Sequence, residues 1–351
     1  MARRNRSSSA VTLKAVADIA AVSTMTVSNV INGTGKVGAE ARQRVREAIA
    51  QTGYVPNIEA RRLAGASGTR IALLYPDTRT PFLTEVLLAT LNAANARGTQ
   101  LLVRDTAGVL TADAETLVAQ ALAGGAEALV LVPPFAECLA DSPVFGRLGI
   151  PAVALAAAGP LNQMHTVRID NRKAADQLTS HLIELGHRQI GFITGPAGHG
   201  DSGQRLRGHQ DAMARAGLPV RKPHVIAGDF TFQAGCAATA RMLAGTPRPT
   251  AIVASNDDMA MGAQWAAQQA GLRLPGALSV AGFDDTAAAR RAWPALTVMQ
   301  QPIAQMASTA VDLLLDALTC AAMPSWREVI HPHALVTRDS TSALQATRTR
   351  R

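Results

Sequence analysis

The sequence predicts a small all-α unit at the N-terminus followed by an α/β core of two parallel-sheet subdomains. Three observations predict it. Residues 13–49 set their apolar side chains at helical spacing in three short segments. From Ile71 onward, short apolar runs alternate with helical patterns, as parallel strands covered on both faces do. The charge is also split. Residues 1–70 hold eleven basic and four acidic side chains, an excess of seven, so nearly all of the chain's net +8 lies in its first fifth.

Composition excludes several classes. A chain of 351 residues, 48% hydrophobic and 17% charged, is too apolar to be intrinsically disordered. No run of eighteen apolar residues marks a spanning helix. The opening MARRNRSSSA is basic but leads into no apolar core, so no secretory signal is expected. Cys138, Cys236 and Cys320 are scattered without CxxC spacing, which suits a reducing cytoplasm better than a disulfide framework.

The first helix follows from Leu13, Val16, Ala17 and Ala20 at i, i+3, i+4, i+7, with Thr12 placed to cap it. Ala21-Val22 makes the turn and Ser23 caps the second helix, whose inward face is Val27, Val30 and Ile31. Thr24, Met25, Ser28 and Asn29 are left pointing out. Val45, Ala48 and Ile49 mark a third helix, which Gly53 can end. This is a helix-turn-helix layout, whose second helix enters the major groove. Asn29 can pair with adenine, Met25 can press on a thymine methyl, and Arg42, Arg44 and Arg46 suit phosphates. On periodicity alone, a three-helix protein–protein module also remains open.

The runs V22-S-T-M-T-V-S-N-V-I-N32 and G53-Y-V-P-N-I-E-A-R-R-L63 closely resemble the signature of LacI-family transcriptional regulators, without a gap from Val11 to about Gly65. The resemblance implies a homodimer on pseudo-palindromic double-stranded operator DNA. It implies DNA contacts from Thr12, Ser23, Thr24, Met25, Thr26, Ser28, Asn29, Asn32 and Tyr54 of a DNA-binding domain over 1–56. A hinge helix and linker over 57–68 would add Asn57, Ala60 and the minor-groove wedge Leu63. Three residues depart from the family pattern: Ala21 replaces a turn glycine, Gly38 a serine cap, and Asn29 a frequent arginine. The last puts the operator sequence in doubt.

In the remaining chain the strands expected are 71–75, 100–103, 128–132, 189–194, 250–255 and 278–283. Helices are expected over 82–97, 112–123, 171–185, 204–216, 232–244 and 256–270. The length suits two sheets. By the same resemblance, the fold is periplasmic-binding-protein-like, forming an effector-binding and dimerisation core over 69–340. Subdomain one then takes 69–185 plus 301–327 and subdomain two 186–300 plus 328–340, with crossings near 186, 300 and 328 and a tail over 341–351. Family position implies effector contacts from Asp170, Arg205, Asn256, Asp284 and Gln301, with Phe82 and Phe230 stacking on the ligand. Such a set suits a sugar: carboxylates accept from hydroxyls, and an aromatic ring covers the apolar face. The plainer reading of each residue alone is a helix cap or surface pair.

Other motifs carry less. H-G-D-S-G (199–203) resembles a serine-protease nucleophile motif but precedes a helix in an α/β pattern. G-P-A-G-H-G (195–200) lacks the ending of a phosphate loop. His331 and His333 would share a strand face but have no ligand-spaced partner, and Asp284-Asp285 would point oppositely on a strand. No catalysis, metal or cofactor is expected. The expected function is a cytoplasmic repressor released or engaged by a small molecule, a neutral sugar before a phosphorylated one. The alternatives are a solute-binding protein of sugar transport, an enzyme of carbohydrate metabolism, or a regulator responding to a nucleobase or nucleoside.

Overall fold

Three helices, α1 (Leu13–Ala20), α2 (Thr24–Asn32) and α3 (Ala39–Thr52), open the computed structural model, which describes residues 12–32, 37–52, 54, 68–75, 80–106, 113–320 and 325–344. Thr12 Oγ1 accepts from the Ala15 amide and Ser23 Oγ from the Thr26 amide, so both expected caps form. Val16, Ala17, Ala20, Val27, Val45 and Ala48 bury a shared core with Tyr54. Ala21 ends α1 in the left-handed conformation, φ 51° and ψ 50°, which glycine adopts at less cost. Gly38 takes the position before α3, its carbonyl accepting from the Arg42 amide.

The body holds two six-stranded sheets. The first comprises β1 (Arg70–Tyr75), β2 (Gln100–Asp105), β3 (Ala128–Leu131), β4 (Ala152–Leu155), β5 (His165–Ile169) and β11 (Glu328–His331), in the order β11-β5-β4-β3-β1-β2. All its pairings are parallel. The second comprises β6 (Ile190–Thr194), β7 (Val225–Ala227), β8 (Ala251–Ala254), β9 (Ser279–Asp284), β10 (Thr297–Gln300) and β12 (Ala334–Val336). Its order is β12-β10-β9-β8-β6-β7, with β12 alone antiparallel to its neighbour. β3 and β4 are buried at every residue, as strands covered on both faces must be.

Helices α4 (Pro81–Asn95), α5 (Ala114–Ala123), α6 (Phe135–Leu139) and α7 (Val144–Leu148) accompany the first sheet. α8 (Asn171–Glu184), α9 (Gly200–Arg215), α10 (Phe232–Ala244), α11 (Asp257–Gln269) and α12 (Ala287–Arg291) accompany the second. α13 (Ile303–Thr319) returns to the first, burying Met306, Ala310, Val311 and Leu314 along one stripe.

Two crossings depart from the sequence reading. The expectation places the first near 186, but α8 already packs along α9, so the chain changes subdomain at Asp170. The helices meet at Gly208, where a Cβ would lie 2.0 Å from the Arg172 carbonyl oxygen and 2.9 Å from the Asp176 nitrogen. Arg172 with Asp211, and Arg215 with Asp176, pair across the same contact. The third crossing, expected near 328, falls at Pro332-His333, because β11 extends the first sheet beside β5 before β12 joins the second. Within the expected tail, Ser342 N donates to Ser279 Oγ at 3.2 Å and Leu344 N to Leu185 O at 2.8 Å. No helix among the described residues is long and apolar enough to cross a membrane.

Candidate effector cavity and DNA-reading face

Both sheets reverse their strand order, between β1 and β3 and between β6 and β8. Ligands of open α/β sheets gather outside the carboxyl ends of strands at such points. A cavity of about 570 Å³ lies there. Its lining includes Phe82 after β1, Thr106 after β2, Val132 to Phe135 after β3, and Ala156 after β4. Opposite stand Arg205 after β6, Phe230 after β7, Asn256 after β8 and Asp284 at the end of β9.

Five of the seven expected effector residues therefore meet: Phe82, Arg205, Phe230, Asn256 and Asp284. Gln301 stands behind them, its Nε2 donating to Asp284 Oδ1 at 2.7 Å. Asp170 is not part of the lining; its carboxylate caps α8 by accepting from the Lys173 amide at 3.0 Å. Asn256 is also spent on positioning. Its Oδ1 accepts from the Met259 amide as the cap of α11, and its Nδ2 donates to the Phe230 carbonyl.

Arg205 is a buried tie between elements. Its Nε donates to Asn171 Oδ1 at 2.8 Å, and Nη1 donates to the Ser255 carbonyl. The guanidinium carbon lies 3.8 Å from the centre of the Phe283 ring, and Nη1 is 3.8 Å from Asp284 Oδ1. Asn171 in turn donates to Asp201 Oδ1 at 3.0 Å. One cation thus serves two buried carboxylates. Burial pushes Asp201 and Asp284 up to about 7, with Arg205 opposing the rise in both. Asp257, behind them, is also raised, first by burial and then by the charge of Asp284. Burial, reinforced by Arg205, lowers His199 to about 4, which leaves it neutral near pH 7.

Four non-glycine residues here have positive φ: Ala156 at 64°, Phe230 at 70°, Asp284 at 112° and Asp285 at 65°. Two are held by side-chain contacts. The Phe230 ring occupies the space of a Cβ on Gly195, and the Asp285 carboxylate accepts from Gln300 and pairs with Arg338. Backbone strain concentrated at a cavity mouth is a mark of a functional site.

Sequence reasoning missed His199, Asp201 and Asp229. The first two belong to H-G-D-S-G, whose place was read as preceding a helix at 204; α9 begins at Gly200, which turns Asp201 into the cavity. Asp229 lies two residues past the end of β7, a short strand not anticipated. The two histidines set aside as a metal pair do not share a strand. His331 ends β11 and bonds Thr309, whereas His333 lies in the crossing and bonds Gln177.

On the N-terminal unit, Thr24 and Met25 are exposed, Met25 to 68%, while Ser28 and Asn29 are half-buried on the same helix. The hydroxyls of Thr12, Ser23 and Thr26 stand at helix N-termini, Ser23 Oγ lying 2.9 Å from Thr26 Oγ1. Tyr54, expected among the DNA contacts, is buried in the core of the unit at 8% exposure. Arg42, Arg44 and Arg46 are exposed on α3. Asn32 ends α2, with its side chain outside the described residues. Asn57, Ala60 and Leu63 also lie outside the described residues.

Comparison with known proteins fits both parts. Residues 12–57 match the model of bacterial regulatory proteins of the lacI family, and 179–341 match the periplasmic binding protein-like domain. The chain is 35% identical over 322 residues to the HTH-type transcriptional repressor PurR of Edwardsiella ictaluri, covering 92% of this chain and 94% of that one. Among solved structures, the transcriptional regulator CelR–cellobiose complex is 30% identical with a TM-score of 0.68, covering 94% of this chain and 99% of that one. The lac repressor dimer bound to operator and the anti-inducer ONPF is 29% identical with a TM-score of 0.71, covering 95% and 100%.

Proposed function

The chain belongs to the LacI family of bacterial regulatory proteins, and from that premise we propose that it is a homodimeric repressor whose hold on operator DNA is set by a neutral sugar. Two N-terminal units would read the half-sites through Thr24, Met25 and Asn29, with Leu63 as the wedge. Action is by binding without catalysis, in the cytoplasm.

One observation carries the choice of effector. Among the described residues the cavity offers carboxylates from Asp201, Asp229 and Asp284, and its one guanidinium is already engaged by Asn171, Ser255 and Phe283. Carboxylates accept from hydroxyls, whereas a phosphate or carboxylate ligand would meet like charge once Asp201 and Asp284 ionise, above about pH 7. A sugar also agrees with cellobiose in a related solved regulator. Asp170 is assigned to capping α8 and Gln301 to orienting Asp284.

A thermal-shift screen of the full chain tests this, because a ligand bound to the native state raises the melting temperature by mass action. Neutral sugars should stabilise the protein and alter operator binding, their phosphates should do neither, and a screen in which only phosphorylated sugars act would overturn the reading. A second reading, a nucleobase or nucleoside, has one observation in its favour: Phe82 and Phe230 both line the cavity and suit a flat ring. The same screen with nucleosides decides it.

A further inference from the structure

The cavity is two-sided, and the sides differ in chemistry. The first subdomain contributes Phe82, Leu83, Val132, Pro133, Pro134 and Phe135. Among its described residues only Thr80, Thr106 and Cys138 bring polar side-chain atoms to the lining, and Thr80 Oγ1 already accepts from the Leu83 amide as the cap of α4. Every charged side chain in the described lining comes from the second subdomain: Asp201, Arg205, Asp229 and Asp284.

A free monosaccharide carries hydroxyls around its whole rim. Seated against Asp284 and Asp201, it would turn some of them onto the apolar wall, where few side chains can partner them. It would also leave much of the space unfilled, since about 570 Å³ falls within the range of roughly 300–1,000 Å³ used for drug-sized ligands. A nucleoside fills the volume better. Its base, however, has polar edges, and Phe82, Leu83, Val132 and Phe135 have neither donors nor acceptors in their side chains to meet them.

We propose that the effector is a neutral aryl glycoside: a sugar whose hydroxyls face the carboxylates of the second subdomain, joined to an unsubstituted aromatic ring lodged against the apolar wall of the first. This rests on the sugar reading above and adds the aglycone to it. Such a ligand spans the two subdomains, each through the part of the molecule that matches it.

The test is calorimetric titration of the full chain with matched free, methyl and phenyl forms of glucose, galactose and xylose in both anomers, with adenosine and cytidine alongside. At least one phenyl glycoside should bind between about tenfold and a hundredfold tighter than the methyl glycoside of the same sugar and anomer, because burying each extra apolar carbon strengthens binding severalfold. Val132→Thr keeps the shape of the wall but adds a hydroxyl, and should shrink that phenyl-to-methyl ratio. Equal affinity for the two forms, or exclusion of the phenyl form, overturns the aglycone and leaves the sugar reading standing. Nucleosides binding where no glycoside does, or no binding by any of these compounds, overturns both.

Discussion

Replacing Arg205 by methionine removes the one cation shared by Asp201 and Asp284 while keeping an unbranched apolar stem. Two hydrogen bonds, to Asn171 and Ser255, and the stacking on Phe283 go with it. Removing one member of a buried charge pair costs about 3–5 kcal/mol, since the partner is left uncompensated. Here the cost should depend on pH. Asp201 and Asp284 have folded-state values of about 7, above those of the unfolded chain. These two groups therefore bind more protons in the folded than in the unfolded chain between about pH 4 and 7, and their contribution to stability falls as pH rises through that window. At pH 6 both carboxyls are largely neutral and need little counter-charge. At pH 8 both are ionised and depend on the guanidinium.

The penalty of Arg205→Met should thus be larger at pH 8 than at pH 6, by up to about 1.4 kcal/mol for each of the two carboxyls, since pH 8 lies about one unit above their folded-state values. Urea unfolding followed by tryptophan fluorescence at the two pH values measures it, with wild type subtracted at each so that groups not coupled to Arg205 cancel. Trp265, Trp293 and Trp326 all lie in the body. An equal penalty at both pH values would refute the argument that Arg205 stabilises ionised carboxylates, and would leave it a packing residue.

Ala21→Gly relieves the left-handed turn after α1 and should raise the stability of the N-terminal unit by about 1 kcal/mol, read as a higher melting temperature. Changing Asn29 to arginine should shift operator preference at particular bases in a fluorescence-anisotropy panel; a uniform loss across sequences would make Asn29 a phosphate contact. Arg44→Ala, on the exposed face of α3, should weaken binding to all DNA and lower the salt slope by about one. Gln301→Leu removes the donor to Asp284 and should weaken effector binding by about tenfold without removing it, as calorimetry would show.

The sheets were legible because a parallel strand buried on both faces must be apolar throughout: Ala128–Leu131 and Ala251–Ala254 could be little else. The first crossing was not legible. The apolar stripe of α8, Ala174, Ala175, Leu178 and Leu182, looks the same whichever sheet it covers. What settles its place is Gly208, thirty-odd residues further on, whose missing Cβ admits the α8 backbone. The cavity was half legible for a related reason. Family position pointed to Arg205, Asn256 and Asp284, but position in the chain does not say whether a side chain turns into the cavity, as Asp284 does, or into a helix cap, as Asp170 does.

The geometry also bears on how a ligand in the cavity reaches the DNA. β1 begins at Arg70, just after the linker, and its far end leads to Thr80 and Phe82 in the wall. Six residues at roughly 3.3 Å each span about 20 Å of buried strand. Such a strand does not bend to report a ligand; it moves with its sheet. A ligand gripping both subdomains acts on the angle between them, where Glu85 of α4 already accepts from the Ala287 amide at the start of α12. In the proposed homodimer, a change in that angle would move the Arg70 end of β1, and the linker before it, relative to those of the partner subunit. Spacing between two linkers is what a pair of half-sites reads, so a coupling of about 1–3 kcal/mol can arise with no rearrangement inside either sheet.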